Sequence, residues 1–382
     1  MTQELTRRQI LKLAAAGLPL AAGLRFGAPA WAQTASPIVK PLAPEWFTPF
    51  GSNAEMRWDA ARGLPYLIPN ERFFVRNHTA TPIIDPATYR LRVFGSGLRR
   101  PEGVSFSLRD LKRLPSRSVT AFIECAGNGR SFFASQQGTP ASGTQWRLGA
   151  IGVARWRGVL LRDVLERAGI TRRAVDVMPE GLDAEVGANG HVRRPLPVAK
   201  ALDDVLLAYE MNGEPLPPDH GAPVRVVVPG WVGIASIKWV GRIEVVDHPL
   251  FSAWNTTQYT IGGVPISTQA VKSAFELPFG AELKAGRWQL LTGRAWSGAA
   301  PIRRVEVSTD GGRSFSPAQL HGPNHPNAWV RWRFPFRPKA PGAYELQARA
   351  TDRAGRTQPA TVPFNPNGYL FGAIVKHPVV AT

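Results

Sequence analysis

The apolar residues of this chain recur with different periods in its first and last parts. Between residues 71 and 246, apolar positions alternate in short runs such as "ATYRLRVFG", whereas "LLRDVLERAGI" has helical spacing and stops at Gly169. The run "DVLLAYEMNGEPL" predicts a β-hairpin, because Asn212 and Gly213 lie between two apolar segments. This mixture predicts an α+β domain with mixed or largely antiparallel sheets.

After about Phe279 the pattern changes to alternating strands at near-regular spacing. Four runs, "RWQLLTGRAWSG", "IRRVEVSTDGGRSF", "AWVRWRFPF" and "GAYELQARATDRAGR", each fit a strand with turn residues beside it. This pattern is typical of a small β-sandwich and predicts an Ig-like domain. Few ionisable residues converge within it, so we expect its role to be structural or in association.

The N-terminal segment has the layout of a secretory signal. Arg7, Arg8 and Lys12 form a basic head. An apolar run follows, and Ala30 and Ala32 provide an A-x-A cleavage site. The paired arginines resemble a twin-arginine signal, which directs folded proteins out of the cytoplasm; an ordinary signal peptide and an N-terminal anchor are the alternatives. We expect export to the periplasm and a mature chain with no membrane span.

These patterns divide the chain into a signal peptide (1–32), a first domain (33–265) and a C-terminal β domain (266–382). Residues 33–70 are rich in proline and lack periodicity, which predicts an extended arm wrapped on the surface. The length of 382 residues exceeds what a single core ordinarily serves, and this supports two domains.

The formal net charge of the chain is +18 at pH 7. Solubility, an acidic protein partner, a membrane surface, nucleic acid, or small anions drawn in by the field would each explain such a charge. The basic residues occur as scattered pairs rather than in one tract, and "WVRWRFPFRPK" alternates like a strand with one wet face. Together with the export signal, this distribution predicts no nucleic-acid partner.

A single cysteine, Cys125, lies in the stretch "TAFIECAGNGRSF". One cysteine excludes an internal disulfide, a zinc site built from several thiolates, and covalent attachment of a c-type haem. The thiol is either inert packing or a soft ligand for a metal. His321 and His325 lie four residues apart, but the prolines of "HGPNHPN" break a helix there, which disfavours a zinc site. No G-x-S-x-G motif occurs, and "GNG" lacks the third glycine of a dinucleotide fingerprint.

The motif "ECAGNGR", taken with its flanking segments, resembles the sulfite oxidase family of molybdenum enzymes. "RFFVRNH" precedes it, and "VLLAYEMNGEPLPPDHGAPVRVVVPGWVGIASIKWVGRIEV" follows it, in the family's order. The resemblance covers roughly residues 72–382 and is nearest to the bacterial periplasmic sulfite dehydrogenases. It implies a molybdenum cofactor domain followed by an Ig-like dimerisation domain, which allows a homodimer.

The resemblance implies a molybdenum–molybdopterin cofactor with Cys125 as the one protein ligand to the metal. A thiolate is soft and anionic, which suits a metal held by sulfur. His220 and Arg225, in "DHGAPVR", would donate hydrogen bonds to the pterin phosphate. The other implied cofactor contacts come from three further segments: Phe74, Val75, Arg76, Asn77 and His78; Asp183; and Ser236, Ile237 and Lys238.

For the substrate, the resemblance implies a small anion, sulfite. Arg76 and Arg130 would hold its oxygens, and Trp146 would wall the pocket. Tyr259, in "TTQYT", would hydrogen-bond near the reacting oxygen. The implied catalytic residues are therefore these two arginines and this tyrosine, together with Cys125.

Two features of the expected anion pocket depart from the family or stay open. The family places a further arginine there from its C-terminal domain, and both Arg331 and Arg333 are candidates. Many members contain C-A-G-N-R-R, whereas this chain has Gly129 before Arg130. The spacing to the second arginine is kept but one positive charge is lost, so we expect the preference for an anion or an electron acceptor to differ.

The resemblance finally implies a periplasmic sulfite dehydrogenase without haem in this chain, which passes electrons to a separate cytochrome c or a haem-bearing subunit. A methionine sulfoxide reductase and a sulfane dehydrogenase subunit of the same fold are the enzymatic alternatives. A basic exported binding module with a degenerate site is the alternative from another class. Arg130 and Tyr259 favour sulfite, because a neutral sulfoxide needs less positive charge.

Overall fold

Paired strands with few helices make up residues 37–382, the part of the chain that the computed structural model describes. The predicted signal peptide lies outside these residues. In chain order the α-helices are α1 (Leu108–Arg113), α2 (Ser131–Gln137), α3 (Leu161–Ala168), α4 (Val198–Asp203) and α5 (Ala253–Thr256). Gly169 ends α3 in the left-handed conformation (φ +86°), as its sequence predicts. None of these described helices has the length and apolar character that crossing a bilayer requires.

A central antiparallel sheet carries the single cysteine at its end. Its strands are β6 (Ser116–Glu124), β7 (Ile151–Leu160), β10 (Leu206–Met211), β11 (Glu214–Pro215) and β12 (Arg225–Val227). β6 and β7 pair along their length, and the last pair places Glu124 opposite Ile151. Asn212 and Gly213 turn β10 into β11 with positive φ (56° and 93°), which confirms the predicted hairpin. Cys125 follows β6 directly, where the chain leaves the sheet.

A second sheet contains both parallel and antiparallel pairs. In spatial order its strands are β5 (Val104–Ser107), β4 (Arg90–Phe94), β13 (Val240–Val246), β8 (Asp176–Gly181) and β9 (Leu196–Pro197). β13 runs parallel to β4 and antiparallel to β8. Leu91 and Ile243 of this sheet share a core with Leu111 of α1 and Leu165 of α3. The mixed strand order confirms the predicted α+β class.

The N-terminal arm is more buried and more regular than its sequence pattern predicts. β1 (Phe47–Phe50) and β2 (Asn53–Met56) form a hairpin, and β2 also pairs with β3 (Val75–Arg76). Four-residue strands are too short to show a period, and Gly51 makes the turn between them at φ +65°. Every residue of β2 is buried, so the expectation of an arm on the surface is wrong for this segment.

The C-terminal part is a sandwich of two sheets, as predicted. One sheet has the order β16 (Lys272–Phe275), β18 (Gln289–Trp296), β22 (Val330–Phe336) and β21 (Gln319–His321). The other has the order β17 (Ala281–Leu283), β24 (Lys376–Ala381), β23 (Gly342–Asp352), β19 (Ile302–Ser308) and β20 (Ser316–Pro317). Phe275 and Trp332 of the first sheet share a core with Val305 and Leu346 of the second. The Ig-like topology stays a prediction.

Aromatic residues join the first part of the chain to the sandwich. Trp58 contacts Trp296 and Trp329, with ring centroids 5.6 and 6.2 Å apart. The same core cluster includes Phe122 and Trp156 of the central sheet. The described residues accordingly form one compact unit, and the domain boundary at residue 265 stays a prediction. A short hairpin precedes the sandwich, with strands β14 (Thr260–Ile261) and β15 (Val264–Pro265).

Candidate active site

The predicted cofactor residues line a single cleft of about 700 Å³. The cleft lies at the end of β6, the start of β12 and the loop before β13, where strands from distant parts of the sequence meet. The predicted residues in its lining are Phe74, Arg76, Asn77, His78, Cys125, Asp183, His220, Arg225, Ser236, Ile237, Lys238 and Tyr259. Motifs far apart in the sequence are therefore brought together by the fold.

Val75 is the exception among the predicted cofactor residues. Its side chain is fully buried and packs with Ile38, Phe47 and Ala54 of the arm. Successive side chains of a strand point to opposite faces, so Arg76 faces the cleft and Val75 faces the arm. The Val75 side chain therefore lies outside the cleft, and a cofactor contact at this position of the segment 74–78 stays a prediction.

The Cys125 thiol lies beside a guanidinium and a phenol hydroxyl. Cys125 is buried, and its N–H donates to Ala150 O (2.9 Å). The Arg76 guanidinium contacts the thiol, and its Nη2 lies 3.5 Å from the Tyr259 hydroxyl. Burial lowers the pKa of Arg76, but Tyr259 and Cys125 outweigh this effect and raise that pKa above its ordinary value. The thiol thus faces a fixed guanidinium and a hydroxyl at the place where the cleft meets the end of β6.

Basic side chains of the cleft have no carboxylate at ion-pair distance among residues 37–382. Arg225 donates to His220 O (2.9 Å) and Ser236 O (3.0 Å), and Lys238 donates to Asp219 O (2.9 Å). Burial lowers the pKa of Arg225 to about 9. Burial and the nearby Arg225 lower the pKa of Lys238 well below its usual value. An anion with several oxygens would supply the missing charge, so this donor set fits the phosphate of a pterin cofactor.

The arm adds a basic residue that the sequence did not single out. Lys40 Nζ lies 3.4 Å from His220 Nε2 and also donates to the Phe73 carbonyl. The N–H groups of Val39 and Lys40 donate to the Asp219 carboxylate (3.0 and 2.8 Å). Burial lowers the pKa of Lys40 to about 7, although Asp219 acts in the opposite direction. No local pattern in this proline-rich segment marks Lys40, because only the fold brings it to His220.

Asp183 and Ser236 supply polar groups of another kind to the cleft. Burial raises the pKa of Asp183 to about 6. A Cβ at Gly181 would lie 2.3 Å from Asp183 Oδ1, so "EGLD" requires glycine at that position. Ser236 Oγ accepts a hydrogen bond from Val228 N–H (3.0 Å), which leaves its hydroxyl proton for another acceptor. Both side chains can therefore hydrogen-bond the polar edge of a pterin.

A second pocket of about 790 Å³ adjoins the cleft at Cys125 and brings together the predicted substrate residues. Its predicted lining residues are Arg76, Arg130, Trp146 and Tyr259. Cys125 lines both spaces, so a metal bound to its sulfur would be accessible from this pocket. The arrangement suits a small anion that meets the metal beside the thiolate.

Two hydrogen bonds hold Arg130 in place and, among the described residues, leave its Nη2 group unengaged. Its Nε donates to Asn367 O and its Nη1 to Thr144 O, both at 2.7 Å. A Cβ at Gly127 or Gly143 would lie within 2.6 or 2.8 Å of the guanidinium, so the two glycines make room for it. Within residues 37–382 no hydrogen bond engages Nη2. The two N–H donors of Nη2 remain for an anion in the pocket.

Trp146 forms a wall of the substrate pocket, and residues of the N-terminal arm hold it in place. Trp146 is fully buried and lies edge-on to Phe50, with centroids 5.5 Å apart. The Glu55 carboxylate of β2 accepts from the N–H groups of Arg147 (2.9 Å) and Gly149 (3.3 Å), which follow the tryptophan. Burial raises the pKa of Glu55 to about 7, although these N–H groups act to lower it. The arm thus shapes the substrate pocket as well as the cofactor cleft.

Neither candidate arginine of the sandwich reaches the pocket. Arg331 Nη2 donates to Leu64 O (2.9 Å), and Arg333 Nε donates to a glutamine of β21 (2.9 Å). Both lie on β22, and neither lines the cleft or the pocket. The C-terminal segment contributes Asn367 and Tyr369 instead. The sequence left open whether Arg331 or Arg333 reaches the pocket, and in the structure neither of them does.

Tyr369 and Trp254, two aromatic residues that the sequence did not single out, lie beside Tyr259. Tyr259 stacks on Tyr369 with centroids 5.0 Å apart, and its hydroxyl lies 3.3 Å from His78 Nε2. His78 in turn packs on Trp254 at 4.4 Å. Burial raises the pKa of Tyr259 to about 12, although Arg76 acts to lower it, so the hydroxyl stays protonated at neutral pH. Burial, with the nearby Arg76, lowers the pKa of His78 well below its usual value, which leaves a neutral imidazole as an acceptor.

Gly129 has a backbone reason to be glycine. Its φ is +92°, and a Cβ there would lie 3.1 Å from the Cβ of Phe371. A side chain at this position would strain the backbone and push Phe371 away. The departure from C-A-G-N-R-R therefore fits the turn, and its effect on anion preference stays a prediction.

Two family profiles match the chain. "Oxidoreductase molybdopterin binding domain" matches residues 78–254, and "Mo-co oxidoreductase dimerisation domain" matches residues 274–376. The first range contains Cys125 and most of the cleft, and the second lies in the sandwich.

Animal sulfite oxidases share more than a third of their aligned residues with this chain. "Sulfite oxidase" of Gallus gallus is 40% identical over 324 residues, which cover 78% of this chain and 69% of that protein. "Sulfite oxidase, mitochondrial" of Rattus norvegicus is 38% identical over 337 residues, which cover 81% of this chain and 60% of that protein. The chain thus spans about 60% of the length of the mitochondrial relatives.

A solved structure matches nearly the whole chain. The sulfane dehydrogenase SoxCD from Paracoccus pantotrophus superposes with a TM-score of 0.76 at 29% identity, covering 98% of this chain and 96% of that chain. The likeness extends over the first part and the sandwich alike.

Proposed function

We propose that this chain, which belongs to the sulfite oxidase family of molybdopterin oxidoreductases, oxidises sulfite to sulfate in the periplasm and passes the electrons to a separate cytochrome c. Sulfite and water give sulfate, two protons and two electrons, so one turnover reduces two one-electron acceptors. The observation that carries the proposal is a pocket in which two arginines, a tyrosine and a buried tryptophan converge beside one buried thiol, Cys125.

The chain offers a complete set of groups for the cofactor. Cys125 would bind molybdenum, and His220, Arg225 and Lys238 would bind the phosphate. When bound, the molybdenum–pterin group supplies the two-electron redox chemistry and the oxygen atom that sulfite gains. Within residues 37–382, no group of three or more His, Cys, Asp or Glu could hold a metal, which agrees with a metal that brings most of its own ligands.

The pocket residues would bind sulfite and exclude water. Arg76 and Arg130 would donate charge-assisted hydrogen bonds to its oxygens. The protonated hydroxyl of Tyr259 would donate beside the reacting atoms. Trp146 and Tyr369 would keep the pocket dry, which strengthens these contacts.

Export and assembly are further parts of the proposal. The twin-arginine pattern supports delivery to the periplasm as a folded protein. A single cysteine cannot attach a c-type haem through a pair of thioethers, which supports a separate electron acceptor. The match to a dimerisation domain and the exposed Trp288 and Leu290 on the sandwich support a homodimer. Cell fractionation and a variant with Arg7 and Arg8 replaced by lysine would test export to the periplasm. Light scattering would test the homodimer.

The central test is steady-state oxidation of sulfite with cytochrome c as acceptor, with molybdenum measured in the same preparation. We expect about two equivalents of cytochrome c reduced per sulfite and about one molybdenum per chain. Cys125→Ser, whose hydroxyl is a harder and less acidic ligand, is the control and should nearly abolish turnover while the fold survives. Wild-type turnover in this variant, or protein without molybdenum from a competent host, would reject the proposal.

A sulfane sulfur substrate is the second candidate, favoured by the structural match to sulfane dehydrogenase SoxCD over nearly the whole chain. The same assay with a protein-bound or small-molecule sulfane decides between the two. A kcat/KM for the sulfane well above that for sulfite would replace sulfite as the substrate and leave the cofactor assignment unchanged.

A further inference from the structure

A buried polar cluster lies behind Cys125, outside both pockets. Glu124, the residue before the cysteine, is fully buried. Its carboxylate accepts from Lys272 Nζ (2.7 Å), Asn128 Nδ2 (2.9 Å) and Trp296 Nε1 (3.0 Å). Lys272 and Trp296 belong to β16 and β18 of the sandwich, whereas Glu124 and Asn128 flank the cysteine turn. The cluster therefore connects the sandwich to that turn.

Lys272 also bonds the backbone of the turn itself. Its Nζ donates to Asn128 O (2.9 Å), and Asn128 N–H donates to Cys125 O (2.9 Å). Asn128 Oδ1 accepts from Ala150 N–H (3.1 Å), and Ala150 O accepts from Cys125 N–H (2.9 Å). A continuous series of hydrogen bonds thus runs from the Lys272 ammonium to both backbone polar groups of the cysteine.

Stability alone does not explain this arrangement, because desolvation offsets much of the attraction within a buried ion pair. A second buried pair offers a contrast: Arg294 Nε lies 2.5 Å from Glu276 Oε1. Its other hydrogen bond goes to Ala61 O, not to the cysteine turn. Of these two pairs, the one with Lys272 is bonded to the turn.

We propose that Lys272 is a positioning residue for Cys125: through Glu124 and Asn128 it fixes the turn that presents the thiol to the cleft. This inference rests on the proposed role of Cys125 as the metal ligand. It gives the C-terminal sandwich a part in forming the metal site. Lys272 lies between the ranges that the two family profiles match, 78–254 and 274–376.

The single cysteine makes the position of the turn measurable, because a thiol reagent can react with Cys125 alone. The probe is 5,5′-dithiobis(2-nitrobenzoic acid), applied to full-length protein from a host that makes no molybdopterin. Lys272→Met is expected to raise the labelling rate roughly tenfold, which corresponds to about 1.4 kcal/mol easier local opening. Arg294→Met, which breaks a comparable buried pair that is not bonded to the turn, is the matched control, and Lys272→Met should label faster than this control. Wild-type labelling of Lys272→Met would overturn the proposal.

A double variant, Glu124→Gln with Lys272→Met, distinguishes an effect on the position of the cysteine turn from an effect on the stability of the fold. Removal of both charges leaves no unpaired buried carboxylate, so the free energy of unfolding should recover towards that of the wild type. The hydrogen bond to Asn128 O stays lost, so labelling should stay fast. If the labelling rate recovered together with stability, Lys272 would be a structural residue only. The double variant also keeps the test usable if Lys272→Met does not fold.

Molybdenum-loaded protein gives a second readout. Lys272→Met should shift the absorption band of the thiolate–metal bond and lower kcat, with KM for sulfite unchanged, because Arg76 and Arg130 make no hydrogen bond to the cluster. An unshifted band, or a change in KM alone, would contradict the proposal. Wild-type protein without molybdenum would reject the proposed function, while the labelling comparison would still decide whether Lys272 positions the turn.

Discussion

Buried cations have different partners in the cofactor cleft and in the junction between the central sheet and the sandwich. In the junction, each has a carboxylate at ion-pair distance: Lys272 lies 2.7 Å from Glu124, and Arg294 lies 2.5 Å from Glu276. Both charges of each pair are thus matched within the chain. The junction therefore needs no ligand to complete it.

In the cleft, Arg225, Lys238 and His220 have no carboxylate at that distance among residues 37–382. Burial lowers the pKa of each of them. His220 is therefore neutral. The hydrogen-bond acceptors of Arg225 and Lys238 carry no net charge. Asp219 and Asp183 favour the charged form of Lys238 only from a greater distance. A bound anion would stabilise the Arg225 and Lys238 cations. Of these two regions, only the cleft leaves buried positive charge without a carboxylate at ion-pair distance.

The largest effect is expected from breaking a pair in the junction. Arg294→Met leaves the Glu276 carboxylate buried without a partner and should lower the free energy of unfolding by about 3–5 kcal/mol. Molybdenum content per folded chain should not change, because neither residue lines the cleft. Urea unfolding and metal analysis measure the two quantities. A loss below about 1 kcal/mol would show that the paired cations of the junction are not needed for stability.

Removal of a cleft cation should have the opposite pattern. Lys238→Met should weaken cofactor binding by about 2–5 kcal/mol, the cost of truncating one partner of a buried charge pair. The cofactor-free protein should be as stable as the wild type or more so. The pKa of Lys238 is depressed, so burying its charge costs stability below that pKa, and the cost disappears as the pH rises towards the unfolded value.

Molybdenum content and thermal unfolding of the cofactor-free protein are the readouts for this variant. Lys376→Met, at an exposed lysine of β24, is the control and should change neither. Full molybdenum content in Lys238→Met would show that the unmatched cation of the cleft is not needed for cofactor binding, and the contrast with the junction would fail.

The third variant, Arg130→Gln, tests whether the substrate pocket also depends on an unmatched cation. Loss of one charge-assisted hydrogen bond, about 1.5–3 kcal/mol, should lower kcat/KM for sulfite roughly 10- to 100-fold, mainly through KM. Arg147→Gln removes an exposed charge next to Trp146 and is the control. Lost molybdenum with unchanged KM would instead show that Arg130 supports the turn through Asn367 and Thr144.

The smallest effect concerns a buried acid without a cation partner. The pKa of Glu55 is raised to about 7 by burial, so the folded chain keeps a proton that the unfolded chain loses near pH 4.5. Wild-type stability should therefore fall between pH 5.5 and 7 by about 1–2 kcal/mol relative to Glu55→Gln. Gln keeps an oxygen for the N–H groups of Arg147 and Gly149. Urea unfolding at the two pH values measures this difference. An equal change in the free energy of unfolding for the wild type and for Glu55→Gln would contradict the raised pKa of Glu55.

Local sequence pattern was sufficient for the strands of the sandwich and for the Asn212-Gly213 hairpin, because alternation and turn chemistry act over a few residues. It was insufficient for β2, since four residues show no period. The motif resemblance correctly grouped the cleft residues other than Val75, which faces the arm from a two-residue strand.

The sequence by itself determined the family, the fold class and a single thiol in a glycine-rich turn. Only the tertiary structure decided which charges have partners. Lys40 meets His220 across 180 positions, and Lys272 meets Glu124 across 148, while Arg331 ends at Leu64 outside the pocket. Such contacts depend on how separate sheets pack. The signs of the charges and their spacing along the chain do not specify which of these side chains meet in the fold.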